Sequence, residues 1–278
     1  AGRFGVYFVE TGANQRPSRV IYDREYSAVS LCPGDAYDWD AILSDASWLH
    51  ISGITLAISE NAAEAALLAA KKAQAAGVTV SCDLNFRKNL WRWKEGTDAQ
   101  SLARAVMPNF LEHVNVIIGN EEDAADVLDI HAGGSDVDAG SLEIDRYPEV
   151  ARQIAQRFES VNKVAITLRE SISATHNNWG ALLYSEADDA AVFAPMAGDQ
   201  YEPYAIRTIV DRVGGGDSFA AGLIFAMTCG DFKSEQDQLD YAVAASCLAH
   251  SVKGDFNLNS RSEVETLMRG NASGRVQR

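Results

Sequence analysis

The chain has 278 residues, of which 47% are hydrophobic, enough for a large core in one domain or in one domain with a small appendage. Its 39 acidic and 24 basic residues give a formal net charge of −15, which argues against nucleic acid and anionic membranes as partners. The protein can still bind an anionic substrate if the fold forms a local basic pocket.

Two short segments near the start of the chain alternate in side-chain character and are rich in Val, Ile, Tyr and Phe. They are GVYFVE (5–10) and RVIYDR (19–24), and they predict two strands joined by the polar loop 11–18. Such a hairpin is not typical of a parallel core. We therefore predict a lid within residues 1–30 and a main α/β domain over 31–278.

Three polar side chains lie on this predicted hairpin. Tyr7, Tyr22 and Arg24 are either packed strand residues with the arginine in solvent or parts of a lid over a polar substrate. In the second interpretation they present two hydroxyls and one guanidinium. The residues alone leave both interpretations open.

Strands and helices alternate through the rest of the chain. Buried strands are predicted at 48–53, 78–84, 114–118 and 163–168, with a last strand at 206–210 that ends at Asp211. Helices are predicted at 60–76, at 98–113 with an interruption near Pro108, at a short stretch ending at 128, at 147–160 and at 236–251. An exposed acidic loop is predicted at 133–144 and a surface hairpin at 179–185 and 191–195. The alternation favours a mostly parallel sheet with helices on both faces.

Polar residues follow the predicted strands at four places. They are Asp83 and Asn85, Asn120, Thr167 and Arg169, and Asp211 with the glycines after it. In open parallel sheets, ligands bind beyond the carboxyl ends of the strands, where these residues would meet. This convergence is stronger evidence for a binding site than any one motif.

The segment Asp211-Arg212-Val213-Gly214-Gly215-Gly216-Asp217 joins the last predicted strand to a helical pattern. Glycine lets the backbone approach a ligand closely, and unpaired amides at a helix start favour anions such as phosphate. Asp217 would then be placed to take a proton from an attacking hydroxyl. The other interpretation is a glycine-rich turn with Asp217 as the helix cap.

Two further polar segments each have a functional and a structural interpretation. Arg87, in the segment 83–88, could hold a carboxylate or phosphate through a two-pronged contact, or could lie in a solvated loop. Asn120-Glu121-Glu122-Asp123 could order the waters of Mg²⁺, or could cap a helix. The five histidines lack metal-ligand spacing, and no P-loop or nucleophile-elbow motif occurs.

The cysteines and the lack of long apolar runs indicate the cellular compartment of the protein. The four cysteines are far apart without a C-x-x-C pair, and Cys82 and Cys247 stand in apolar runs typical of buried thiols. This usage fits a reducing cytoplasm. No signal peptide and no run of 18 apolar residues is visible, so we expect a cytoplasmic protein.

The glycine segment resembles the signature of the ribokinase-like, or pfkB, carbohydrate kinases. That signature is Asp-Thr-x-Gly-Ala-Gly-Asp, with Arg212 here in place of the threonine and Gly215 in place of the alanine. A second family motif, Asn-x-x-Glu, is similar to Asn120-Glu121-Glu122-Asp123, where the shorter Asp stands last. Segments 5–12, 19–24, 83–87 and 254–256 resemble the 2-dehydro-3-deoxygluconokinases within this family, and the resemblance covers nearly the whole chain.

The resemblance implies roles for individual residues. Asp217 would be the general base, and the amides of Gly214, Gly215 and Gly216 would stabilise the transferred phosphoryl group. The implied binding residues are Tyr7, Tyr22, Arg24, Asn85, Arg87, Asp217 and Asp255 for the sugar acid; Asn85, Asn120, Thr167, Arg169, Gly214 and Gly216 for the nucleotide; and Asn120, Glu122 and Asp123, through water, for Mg²⁺. Family members usually carry a glycine-bearing loop at 167–171, which this chain lacks.

The resemblance also implies a fold and a reaction. The fold is a three-layer α/β/α ribokinase-like domain with a mostly parallel central sheet and a small β lid. The reaction is phosphorylation of 2-dehydro-3-deoxy-D-gluconate to its 6-phosphate, with ATP, Mg²⁺ and, as a further candidate, a monovalent cation. Lids of related kinases often pair, so a homodimer or higher oligomer is expected. A kinase for a neutral sugar such as ribose or fructose, and a non-catalytic sugar-acid or nucleotide sensor, stay as alternatives.

One departure from the family concerns the start of the chain. Family members have an upstream segment with a substrate-binding glycine pair, an Asn and the first core strands, whereas this sequence begins after it at Ala1. For a chain that truly began here, we expect an incomplete substrate pocket. We also expect an exposed sheet edge, which is an aggregation hazard.

Overall fold

The computed structural model describes residues 2–120, 122–131 and 144–270. Its strands are β1 (Val6–Glu10), β2 (Arg19–Asp23), β3 (Trp48–Ser52), β4 (Thr79–Asp83), β5 (Val116–Asn120), β6 (Lys163–Ser173), β7 (His176–Ser185), β8 (Ala190–Ala194), β9 (Met196–Ala197), β10 (Gln200–Tyr201) and β11 (Tyr204–Ile206). Its α-helices are α1 (Ala28–Leu31), α2 (Trp39–Leu43), α3 (Gly53–Ile58), α4 (Glu60–Ala75), α5 (Ala99–Leu111), α6 (Asp123–Leu128), α7 (Tyr147–Arg157), α8 (Gly215–Thr228), α9 (Glu235–Ala249) and α10 (Arg261–Met268). Short 3₁₀ helices span Gly34–Ala36 and Ile144–Arg146.

Seven of these strands form the central sheet, in the order β11-β7-β6-β5-β4-β3, with β8 also paired to β7. Strands β3 to β6 are parallel, whereas β7 is antiparallel to β6, and β8 and β11 are antiparallel to β7. Six of the seven strands therefore run in one direction. Their carboxyl ends meet at one edge of the sheet, which confirms the mostly parallel sheet predicted from the sequence.

Helices cover both faces of the sheet because successive strand residues point to opposite sides. On β5, Ile117 packs into a core with helices α4, α5 and α7, whereas Val116 and Ile118 pack against α8 and α9. All three residues are at most 3% exposed. The three-layer α/β/α arrangement follows directly from this alternation.

The early hairpin forms a separate two-stranded sheet. Strands β1 and β2 are antiparallel, with Tyr7 opposite Tyr22 and Phe8 opposite Ile21. Tyr7 and Tyr22 are half-buried on one face, whereas Phe8 is 60% exposed on the other. The predicted hairpin is confirmed, while its treatment as a separate domain over 1–30 stays a prediction.

Two predictions for the second half of the chain are wrong. The expected surface hairpin at 179–185 and 191–195 is instead β7 and β8 of the central sheet, because β7 pairs with β6 along its whole length and is buried. The expected strand at 206–210 ends at Ile206. Beyond it, the Ile209 and Val210 amides donate to the carbonyl oxygens of Thr175 and His250, so these β-branched residues lie in an extended loop.

The predicted helices need smaller corrections. Helix α5 continues through Pro108 without the expected interruption. Helices α1, α2, α3 and α10 are short elements that were not predicted. The predicted loop at 133–144 lies almost wholly outside the described residues.

The structure shows the burial of the four cysteines and the lengths of the helices. All four cysteines are free; Cys82 is buried as expected, but Cys247 is only half-buried. Within the described residues, no helix combines the length and the apolar character that a membrane crossing requires.

Candidate active site

A cleft of about 790 Å³ lies between the hairpin β1–β2 and the carboxyl edge of the central sheet. It brings together most of the residues singled out in the sequence. Those that line it are Tyr7, Tyr22, Arg24, Asn85, Arg87, Asn120, Asp123, Thr167, Arg169, Gly214, Gly215, Gly216 and Asp217. Glu122 and Asp255 do not line it, and Glu121 lies outside the described residues.

The glycine turn leads directly into helix α8. Gly214 is the N-cap residue with φ +78°, and a Cβ atom there would lie 2.6 Å from the Asp255 carbonyl oxygen. Only glycine fits this combination of backbone angle and close approach. No side chain caps α8, and Asp217 is the third residue of the helix, so the interpretation of Asp217 as the cap is wrong.

Several hydrogen bonds hold this turn in place. The Asp211 carboxylate accepts from the amides of Val213 (3.1 Å) and Gly254 (3.2 Å). The Ser246 hydroxyl donates to the Gly215 carbonyl at 2.7 Å, and the Gly215 amide donates to the Arg212 carbonyl at 3.3 Å. The turn is therefore fixed before any ligand arrives, with Asp217 beside it and open to the cleft.

Asn120 and Asp123 are held by their own backbone contacts. Asp123 is 2% exposed, and its carboxylate accepts from the amides of Phe86 (3.0 Å) and Asn120 (2.9 Å). The Asn120 side-chain oxygen accepts from the amides of Glu122 (2.8 Å) and Asp123 (3.0 Å). Asp123 thus ties the end of β5 to the loop after β4, a structural role different from the helix capping that the sequence offered as the alternative.

Asn120 and Asp123 suit a magnesium ion that is held through its waters rather than coordinated directly. Among the described residues, no three acidic, His or Cys side chains cluster as direct metal ligands. The Asp123 carboxylate lines the cleft and keeps unused lone pairs after accepting two amide bonds. One carboxylate and one amide fit a hydrated ion held through its waters.

Asp83 is a buried acid at the end of β4 and lines the same cleft. Burial, reinforced by the nearby Asp123 and Asp217, raises the pKa of Asp83 to about 8, against the opposing effect of Arg87. The carboxyl group therefore holds its proton more tightly than an ordinary aspartate does. The sequence placed Asp83 at a strand end but gave no sign of this raised pKa, because it arises from burial and from residues on other elements.

The hairpin is joined to the rest of the cleft by Tyr7. Its hydroxyl donates to the Asp255 carboxylate over 2.5 Å, so Asp255 acts from outside the cleft lining. Burial and this hydrogen bond raise the pKa of Tyr7 to about 12, so the donor stays protonated at neutral pH. The Arg24 guanidinium carbon lies 5.6 Å from the Tyr7 ring centre and 5.7 Å from that of Tyr22, within the range of cation–π contact.

Asn85 and Arg87 extend from the end of β4. Asn85 is 8% exposed and has a φ of +41°, a left-handed conformation that costs free energy in most residues. Its side-chain amide donates to the Ser52 hydroxyl at 3.3 Å, and its Oδ1 atom is buried without a hydrogen-bond partner. Arg87 donates to the Phe86 carbonyl at 2.8 Å. Both side chains are thus oriented toward the cleft with hydrogen-bonding capacity left over.

Comparison with known proteins identifies the family. The sequence model of the pfkB family carbohydrate kinases matches residues 2–260. The chain belongs to this family. This finding confirms the resemblance carried by the glycine turn and the predicted class of enzyme, a carbohydrate kinase.

Individual relatives of this pfkB kinase share most of its length. A 2-dehydro-3-deoxygalactonokinase from Haloferax volcanii is 30% identical over 273 residues, which cover 98% of this chain and 72% of the relative. A 2-dehydro-3-deoxygluconokinase from Thermoproteus tenax is 26% identical, covering 95% of this chain and 68% of the relative. The crystal structure of 2-dehydro-3-deoxygluconokinase from Thermotoga maritima superposes with a TM-score of 0.84 at 40% identity, covering 97% of this chain and 75% of that one. The predicted ribokinase-like fold is confirmed.

Sequence reasoning missed part of the pfkB kinase's cleft. Additional lining residues are Asn177, Trp179, Arg212 and His250. On the paired strands β6 and β7, Arg169 lies opposite Trp179 and Ser171 opposite Asn177, and all four line the cleft. Alternation along both strands is the signal that could have found them, but β7 was predicted as a surface element.

Proposed function

We propose that this pfkB kinase transfers the γ-phosphoryl group of ATP to a 2-dehydro-3-deoxy sugar acid, with 2-dehydro-3-deoxy-D-gluconate as the expected substrate and its 6-phosphate as product. The observation that carries the proposal is one cleft containing both a glycine turn with an adjacent acid, Asp217, and two arginines, Arg24 and Arg87. The names of the Haloferax and Thermotoga relatives support this substrate class.

Asp217 is the proposed general base. It accepts the proton of the sugar's terminal hydroxyl as the oxygen attacks the γ-phosphorus and the bond to ADP breaks. Charge that develops on the transferred group is stabilised by the backbone amides of Gly214, Gly215 and Gly216 and by the positive end of helix α8. The fixed turn supports this role, since donors already in place need no reorganisation during the reaction. The Gly215 amide also donates to the Arg212 carbonyl at 3.3 Å, so it is the weakest of the three donors.

Arg24 and Arg87 are the proposed partners of the substrate carboxylate. Both line a cleft in a chain of net charge −15, where two guanidinium groups would serve an anionic substrate well. Tyr7, Tyr22 and Asn85 supply hydroxyl and amide groups for the sugar hydroxyls, and Asp255 holds Tyr7 in place.

The nucleotide is proposed to lie along Thr167, Arg169 and the turn at Gly214 and Gly216, with Asn85 and Asn120 at its inner end. Magnesium, when bound with ATP, neutralises phosphate charge during phosphoryl transfer. Asn120 and Asp123 would hold its waters, and Glu122, next to them in the chain but outside the cleft lining, is the weaker candidate.

Replacing Arg87 with Ala tests the substrate class. We expect a rise in KM for sugar acids of roughly tenfold or more, the loss of one charge-assisted contact, with little change for neutral sugars. ATP consumption is measured against a panel of sugar acids, ribose and fructose. The control is Lys88→Ala, which removes an exposed neighbouring charge outside the main cleft. An equal loss for acids and neutral sugars would argue against carboxylate recognition, and wild-type preference for ribose or fructose would favour a neutral-sugar kinase.

The lid is also proposed to join two copies of the chain. Its outer face exposes Phe4 (92%), Phe8 (60%) and Ile21 (48%), a concentration of apolar surface that pairing of two hairpins would cover. We expect a dimer in sedimentation experiments and a shift toward monomer for Phe8→Lys. A wild-type protein that is monomeric at micromolar concentration would contradict this arrangement.

A cytoplasmic location is proposed as well. All four cysteines are free, which suits a reducing compartment. ATP, the proposed phosphoryl donor, is also available there.

A further inference from the structure

The proposed contacts with the sugar acid give no role to two arginines next to the glycine turn. Arg212 lies two residues before Gly214, and Arg169 lies in the second half of β6; both line the cleft. The sequence assigned Arg169 a nucleotide contact by resemblance alone and gave Arg212 no role. Arg212 stands where the family signature has threonine, and Arg169 stands in the stretch where a glycine-bearing loop is usual.

The Arg212 side chain is held in one orientation by backbone oxygens. Its Nη2 atom donates to the carbonyls of Ala174 (2.6 Å) and Ser173 (3.4 Å) at the tip of the β6–β7 hairpin. The Nε atom is buried and has no hydrogen-bond partner. A guanidinium fixed in this way has donor capacity left for a ligand, at little entropic cost.

The positive charge of Arg212 is not balanced by its hydrogen-bond partners, which are neutral carbonyls. Burial and the neighbouring Arg169 lower the pKa of Arg212, and both arginines help burial lower the pKa of His250. The His250 Nδ1 atom lies 2.7 Å from the Ser246 carbonyl, so it carries the proton of a neutral ring. Arg212 and the positive end of the 14-residue helix α8 therefore make this side of the cleft attractive to anions.

The carboxylate of the adjacent Asp211 is committed to the turn. Both oxygens of the Asp211 carboxylate are used by the amides of Val213 and Gly254, which brace the turn. A ligand that matches two guanidinium groups and the amides of a helix start must carry several negative charges close together. A polyphosphate has this property, whereas a single sugar-acid carboxylate does not.

We propose that Arg212, together with Arg169, binds the polyphosphate of the nucleotide and replaces a glycine-loop contact with a pair of guanidinium groups. The proposal rests on the proposed function, because it names residues that hold the phosphoryl donor. It assigns Arg212 as a binding residue that discriminates nucleotides by their number of phosphates. The Ala174 carbonyl sets its orientation.

Calorimetric titration of ADP, AMP and adenosine into the full chain, without sugar, tests the proposal. For Arg212→Gln we expect the Kd of ADP to rise at least about tenfold, a smaller rise for AMP, and an adenosine Kd within about twofold of wild type. Arg212→Lys keeps the charge and should recover much of the ADP affinity. Arg207→Gln removes an exposed charge five residues away, outside the cleft lining, and should bind all three ligands like wild type.

Three results would overturn the assignment. They are wild-type ADP affinity in Arg212→Gln, an equal loss for ADP and adenosine, and a wild-type protein that binds ADP no better than adenosine. If the second of these results were shared by Arg212→Lys, the role of Arg212 would be purely structural, at the hairpin tip. The proposed function can fail separately. If ADP binding depends on Arg212 but no sugar acid is phosphorylated, the nucleotide role of Arg212 is supported and the proposed reaction is not.

Discussion

Replacing Asp217 with Asn is expected to lower kcat by about 10²–10⁴-fold, with ADP binding and overall fold retained. The amide has nearly the same size as the carboxylate but cannot accept the proton of the attacking hydroxyl. Asp217 lies at the third position of α8 with no capping hydrogen bond, so its removal leaves the turn and its braces in place. Steady-state kinetics with saturating ATP and sugar acid measure the effect.

A matched control separates chemistry from helix electrostatics. Asp237 occupies the same third position in α9 but is outside the cleft lining. Loss of an acid from a first helical turn costs roughly 0.3–1 kcal/mol, and Asp217→Asn should show this small change in the free energy of unfolding. Asp237→Asn should lose somewhat more, because the Asp237 carboxylate also accepts from the Ser234 hydroxyl at 2.6 Å. Only Asp217→Asn should lose turnover. Full turnover in a folded Asp217→Asn variant would remove Asp217 from the role of base.

Replacing Gly214 with Ala is expected to damage both stability and catalysis. A residue other than glycine in the left-handed region costs about 1–2 kcal/mol. The added Cβ would also lie 2.6 Å from the Asp255 carbonyl oxygen, which is backbone and cannot swing aside as a side chain would. The turn must shift, and because small displacements of reacting groups can cost about 10²-fold in rate, we expect a kcat loss of that order.

Gly230 provides the comparison at the other end of the same helix. Its φ of +79° is nearly the same as that of Gly214, but a Cβ there would meet nothing within 4 Å. Gly230→Ala should therefore lower the free energy of unfolding only by the cost of the left-handed backbone conformation. Its kcat should equal that of the wild type. Urea denaturation and kinetics on both variants measure the difference. Equal effects for the two would show that contact with Asp255 does not matter.

The sequence predicted the centre of the site well because it depends on local pattern and on one rule of topology. The strand ends at Asp83 and Asn120 and the turn at Gly214 are each visible locally. Parallel strands then bring them to one edge. The strand end expected near Thr167 is wrong, because β6 continues to Ser173, yet Thr167 still lines the cleft. The lid side of the cleft was also predicted, since alternation places Tyr7 and Tyr22 on one face of the hairpin, and both line the cleft.

What the sequence could not supply depends on contacts between distant segments. The run 206–210 has the composition of a strand, yet Ile209 and Val210 bond to Thr175 and His250 instead of to a ladder. Likewise, the raised pKa of Asp83 requires burial beside Asp123 and Asp217, which belong to other elements. Local propensity contains no information about either arrangement.

The hydrogen bond between Tyr7 and Asp255 joins residues 248 positions apart. During synthesis on the ribosome, the hairpin is made early but cannot be fastened until Asp255 has emerged. Contacts of such long sequence separation also form late in folding, because the loop-closure entropy has to be overcome first. We therefore expect the cleft to be one of the last parts of the molecule to form. In a refolding experiment, ligand binding should appear only when the whole domain has folded.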